Sequence, residues 1–181
     1  MCSTRGMFAA IGCALVLALG VSPPAHAADE SVSKAHDAIA MMKKADPGLS
    51  KFFSGATGYA VFPNVAKGAI GVGGAHGSGV LFEGGTAIGK TTLSQVTVGF
   101  QLGGQAYSEI VFFENAATLS NFKHGNFAFA AQVSAVAIKS GASANAKYQN
   151  GVAVFTMTKG GLMYEASVGG QKFGFQPYGG K

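Results

Sequence analysis

Gly84-Gly-Thr-Ala-Ile-Gly89-Lys90-Thr91 satisfies G-x-x-x-x-G-K-[ST], a pattern whose backbone N–H groups and following helix N-terminus can cradle phosphates. That chemistry needs a helix directly after the loop. Thr92-Leu-Ser-Gln-Val-Thr-Val98 instead alternates like a strand, so a hairpin turn is expected and no nucleotide ligand. His76 sits in Gly73-Gly-Ala-His-Gly-Ser-Gly79, while His36 and His124 fall in other segments without metal-ligand spacing. Glu83, Glu109, Glu114 and Glu165 are scattered, and no G-x-S-x-G nucleophile elbow is present. No catalytic residue, metal ligand or cofactor is therefore assigned. An envelope enzyme stays only as an alternative, because active sites assemble residues distant in sequence.

Residues 31–54 place Lys34, Lys43, Lys44 and Lys51 beside Ile39, Met41, Met42, Leu49, Phe52 and Phe53. On an amphipathic helix this composition has two uses. The apolar stripe can pack on a sheet with the lysines solvated. Alternatively, lysines can meet phosphate headgroups while Phe and Met reach the acyl boundary. The two uses are compatible, since lysines can face lipid while the stripe faces the core. The candidate lipid-binding residues are Lys34, Lys43, Lys44, Lys51, Phe52 and Phe53, with Lys67 and Lys159 next.

The elements that must position these residues follow from periodicity. Ser31 can cap a helix in which Val32, Ala35, Ile39 and Met42 share one face, and Pro47-Gly48 stops it. From Tyr59 the period changes to two. Strands are expected at 59–62, 69–73, 79–82, 94–102, 106–113, 127–139, 152–158, 162–168 and 172–175. A glycine-rich link surrounds His76, and a short Asn-capped helix covers 115–122. The expected fold is α+β: an N-terminal amphipathic helix packed on a strongly twisted, Gly-rich antiparallel sheet or half-barrel of about eight strands.

The 181 residues include 28 Gly, 12% charged and 48% hydrophobic residues, too apolar for disorder and long enough for one sizeable core. Residues 1–27 read as a secretory leader: Arg5, the apolar run Met7–Val21, and Ala25-His-Ala27 as cleavage pattern. The run is short for a membrane span, and it continues past Cys13, against lipid attachment there. Residues 28–181 then form a single domain without cysteine, exported to the periplasm or outer membrane, or secreted. Losing Arg5 with the leader lowers the formal charge from +5 to +4. A small outer-membrane β-barrel is the alternative architecture. The absence of Trp, only 5 Tyr, and the helical lead-in count against it.

Gly58-Tyr-Ala-Val-Phe-Pro through Gly73-Gly-Ala-His-Gly-Ser-Gly-Val-Leu-Phe82 resembles the opening of the SYLF domain, as do Val98-Gly-Phe-Gln-Leu-Gly-Gly-Gln105, Ile110-Val-Phe-Phe-Glu-Asn115, Thr158-Lys-Gly-Gly-Leu162 and Ala166-Ser-Val-Gly-Gly170. The likeness runs over about residues 32–178. It implies lipid binding, of the phosphoinositide type in eukaryotic relatives that use an amphipathic N-terminal helix and act in actin-linked remodelling. Thr91-Thr-Leu-Ser94 stands where those relatives commonly carry W-S-x-P, and no SH3 module follows. The expected partner is thus an anionic phospholipid surface of the bacterial envelope. Nucleic acid is not an expected partner, and an actin-binding-type interaction module stands only as a further alternative.

Overall fold

The computed structural model describes residues 25–70, 72–98, 103–125, 127, 134–159, 166–168 and 170–179. Residues 1–24 of the leader expected at 1–27, with Cys13, lie outside the described residues, as does much of the strands expected at 127–139 and 162–168. Helix α1 (Ala25–Ala45) opens upstream of the expected Ser31 cap. Ala25, Ala27 and Ala28 are strong helix formers, and they carry Ser31 inside the helix. Ala35, Ala38, Ile39 and Met42 are buried at three- and four-residue spacing, which fixes the face α1 turns to the sheet. Pro47 stops it, and Asp46 caps a 3₁₀ turn, Pro47–Leu49, with Pro at its first position. Helix α2 (Ser50–Gly55) follows.

Four long strands come next: β1 (Gly58–Ile70), β2 (Val72–Glu83), β3 (Thr86–Val98) and β4 (Gly103–Phe113). The segment around His76 is the interior of β2, paired residue by residue with β1 and β3, and not the expected link. Gly tolerates extended backbone when neighbours on both sides supply the ladder. Gly84 and Gly85 make the β2–β3 turn with φ of +55° and +81°, the conformation of a tight hairpin. The Gly84–Thr91 pattern is thus a turn running into a strand. Pro63 cannot donate to a ladder, and the register of β1 shifts between Phe62 and Val65 against β4. The Ser108 hydroxyl donates to the Pro63 carbonyl at 2.8 Å and satisfies that group at the bulge.

Helix α3 (Ala116–Lys123) is capped by Asn115, whose side chain accepts from the Thr118 amide. Strands β5 (Ser134–Ala137), β6 (Val152–Thr158), β7 (Ala166–Ser167) and β8 (Lys172–Pro177) complete an eight-stranded sheet in the order β7-β5-β6-β4-β1-β2-β3-β8. All described pairs are antiparallel except β5 with β6, which is parallel. The sheet is open, with β7 and β8 at its ends, so the barrel alternative does not describe it.

Each face of the sheet has its own core. On one face Val61, Val80, Phe82, Ile110, Phe112 and Phe155 meet α1 and α2. On the other, Phe62, Leu81, Leu93, Val111 and Phe113 meet Leu119 and Phe122 of α3. The sheet curls around this second cluster. The rings of Phe62 in β1 and Phe173 in β8 are 5.8 Å apart, although three strand steps would span roughly 14 Å in a flat sheet.

Candidate functional site

The lysines expected to meet lipid separate into three places. At the C-terminal end of α1, Lys44 is exposed and the Lys43 ammonium sits 4.1 Å from the centre of the Phe53 ring. Lys51 of α2 donates to the Ala144 carbonyl at 3.2 Å and lies over Phe52. None of Lys43, Lys44 and Lys51 has a carboxylate partner among the described residues. Met41 stands 47% exposed beside them, and Phe53 is half-buried against Tyr59 and Phe112. Phe52, expected at the acyl boundary, is a correction. It is only 4% exposed and packs on Phe112, Tyr148 and Phe155, because α2 turns it onto the sheet.

Asp46 holds this end together. Its carboxylate accepts from the Gly48 amide at 3.1 Å and from the Ser143 amide at 2.6 Å, tying the first 3₁₀ turn to a second at Ala142–Asn145. Burial works against the charged form, but the amides of Ser143 and Gly48 outweigh it and hold the carboxyl below its usual range.

Lys67 and Lys159 are elsewhere. Lys67 pairs across β1 with Ala75 and Gln105, eight residues along the strand from Tyr59, or roughly 26 Å at 3.3 Å per residue. The Lys159 amide bonds the Ala106 carbonyl at that same outer end.

Lys34 is in the third place. It pairs with Glu30 at 2.6 Å and looks into a groove of about 810 Å³ between the N-terminal half of α1 and the face of β2, β3 and β8. Register explains the groove's floor. Ser78 lies opposite Thr92, and Lys90 lies opposite Gln176, so alternation puts all four on one face with His76. Thr91 points the other way and donates to the Gly174 carbonyl at 2.8 Å. Sequence reasoning did not mark this groove, since the register of β3 on β8 joins segments more than eighty residues apart.

One buried group was also missed. Glu109 of β4 is fully buried, and its Oε2 accepts from the Gln171 amide nitrogen at 3.0 Å. Burial raises its pKa to about 8, with the Gln171 hydrogen bond acting the other way. Tyr107 beside it is raised by burial first and by Glu109 second. Of the histidines whose side chains are described, His36 packs edge-on to Phe82, His124 bonds the Ser120 carbonyl, and His76 lines the groove. No group of three His, Cys, Asp or Glu could hold a metal among the described residues.

Residues 94–176 match the family described as Ysc84, Las17-binding protein actin regulator. Over that stretch the SYLF resemblance is borne out. The match runs from the second half of β3 to β8, so the helical lead-in, His76 and Lys90 precede it. The chain is also similar to Beta cell expansion factor A of Aeromonas veronii, 28% identical over 142 residues, which is 77% of this chain and 53% of that protein. It thus spans about half the length of the curated relative it matches. Within this chain, the helix lysines and the groove are separate features: Lys34 precedes Lys44 by ten residues of α1, or roughly 15 Å.

Proposed function

We propose that this protein is a non-enzymatic, peripheral lipid-binding protein of the bacterial envelope, exported and docking on anionic phospholipid. One observation carries the reading: Lys43, Lys44 and Lys51 share an end of the molecule with exposed Met41 and half-buried Phe53, and no carboxylate there is paired to them among the described residues. Lysines near an anionic surface contribute about 1 kcal/mol each, and small apolar groups between them can enter the headgroup layer. The matched family is described as an actin regulator. A leader that exports the chain would separate it from actin, so that role is not carried over.

Co-sedimentation with phosphatidylglycerol vesicles, against phosphatidylcholine vesicles, tests the reading. Binding to the anionic vesicles alone is expected at low salt, weakening as ionic strength shortens the reach of charge to about 8 Å. Replacing Lys43, Lys44 and Lys51 together by Gln should remove about 3 kcal/mol, roughly a hundredfold in affinity. Equal binding to neutral vesicles, or none to either, overturns the proposal.

A further inference from the structure

We infer that the groove between α1 and the β2–β3–β8 face binds the phosphate group of an organic phosphate ester, an anion site separate from the basic end of α1. The inference deepens the lipid reading by naming a headgroup site, yet it can stand or fall alone.

The groove is lined by donors. Lys34 enters from α1 and Lys90 from β3, with His76, Ser78, Thr92 and Gln176 around them. No carboxylate lines it among the described residues. Lys90 has no carboxylate partner among them either. Lys34 is held by Glu30, but that pair is more than 60% exposed on both sides, and such a pair yields its partner at little cost. Two ammonium groups, an imidazole, two hydroxyls and an amide form a set that suits a group with several acceptor oxygens and more than one negative charge. A phosphate has both.

The volume says that more than a bare phosphate is accommodated. About 810 Å³ lies within the usual range for sites that enclose a small organic ligand. The surroundings indicate which part of the ligand goes where. Along the same face, His76 and Ser94 are followed outward by the pair Gly74 and Val96. Val96 is 76% exposed, and Ala66 of β1, itself a groove residue, is exposed beside this strip. A cationic floor that continues into an uncovered apolar strip fits an amphiphile with its phosphate over Lys34 and Lys90. The same phosphate chemistry could also come from a soluble phosphate ester. Lys90 is the lysine of the Gly84–Thr91 pattern. Here it acts from a strand face, with cross-strand neighbours in place of a helix N-terminus.

The test uses the full mature chain and three probes: inorganic phosphate, glycerol 3-phosphate, and phosphatidylglycerol vesicles. Titration with glycerol 3-phosphate should saturate and shift the His76 ring resonances in NMR spectra. The K34Q/K90Q variant should bind it at least tenfold more weakly, whereas K43Q/K44Q/K51Q should bind it as the parent does. Competition between vesicles and glycerol 3-phosphate for the His76 shift identifies a lipid headgroup as the source, and shifts with the soluble ester alone identify a soluble ligand. Both outcomes support the groove. The inference is overturned by the absence of saturable binding for every probe, or by binding that K34Q/K90Q leaves unchanged. Vesicle binding that survives in K34Q/K90Q but is lost in K43Q/K44Q/K51Q would retain the lipid reading and remove the groove from it.

Discussion

Glu109 and Asp46 are two buried carboxyls with opposite electrostatics, and stability should record both. Glu109 has its pKa raised from 4.5 to about 8, chiefly by burial. In the unfolded chain it ionises near 4.5, whereas in the fold it stays neutral until about 8. The stability it permits is therefore whole below pH 4.5 and declines as pH rises through that window. Glu109→Gln keeps an acceptor for Gln171 and removes the titration. The variant should exceed the parent in urea midpoint at pH 8 and come close to it at pH 4.5. A parent midpoint that is flat between pH 5 and 8 would contradict the assignment. Asp46 has its pKa lowered from 3.8, so its contribution is present above 3.8 and is lost as pH falls through the lower, folded value. Asp46→Asn should unfold more easily than the parent at pH 7, and the difference should close toward pH 2. Neither role could be read from the chain. Tyr107-Ser-Glu-Ile-Val111 sets two polar residues side by side, and Ile110 and Phe112 bury one face as fully as Tyr107 and Val111 bury the other. Alternation alone then cannot say that Glu109 points inward.

Helices show where such reading works and where it stops. The stripe of Ala35, Ile39 and Met42, the stop at Pro47-Gly48, the Asn115 cap and the change to strand period at Tyr59 all follow from local chemistry, and the structure keeps each of them. Phe52 and Phe53 were indistinguishable, because the 3₁₀ turn before α2 resets the helical phase and both residues are apolar. Packing separates them. Phe52 touches Phe112, Tyr148 and Phe155 from within the core, while Phe53 keeps an exposed edge under Lys43. Phe52→Ala should cost about 3–5 kcal/mol by leaving a cavity. Phe53→Ala should cost clearly less, with chemical denaturation as the measurement. Equal costs would mean that α2 sits differently on the sheet. Strand pairing was the least legible level. The register of β3 on β8, which builds the groove, and the parallel contact of β5 with β6 depend on chain closure across long separations. Periodicity carries no record of either.

Across the whole molecule, the four long strands have a thick part and a thin part. Ala60–Phe62, Val80–Phe82 and Ile110–Phe113 are covered on both faces, by α1 and α2 on one side and by α3 and the curled end of the sheet on the other. Beyond the β1 bulge the ladder continues unbroken, Gly68 opposite both Gly74 and Gly104. Burial thins there, with Ala66, Gly68, Val96 and Gln105 all exposed. Hydrogen bonds alone contribute little net stability when water competes for them, so local opening should follow burial and not pairing. Native-state amide exchange should therefore be slowest at Ala60–Phe62, Val80–Phe82 and Ile110–Phe113, near the rate set by global unfolding. It should quicken steadily from Ala66 to Gly68 and from Gln95 to Val98. The outer strip that adjoins the groove would then be the part of the sheet able to yield when a ligand or a lipid surface meets it. Uniform protection along β1 to β4 would show the sheet opening only as a whole, and the outer half would have to be treated as rigid.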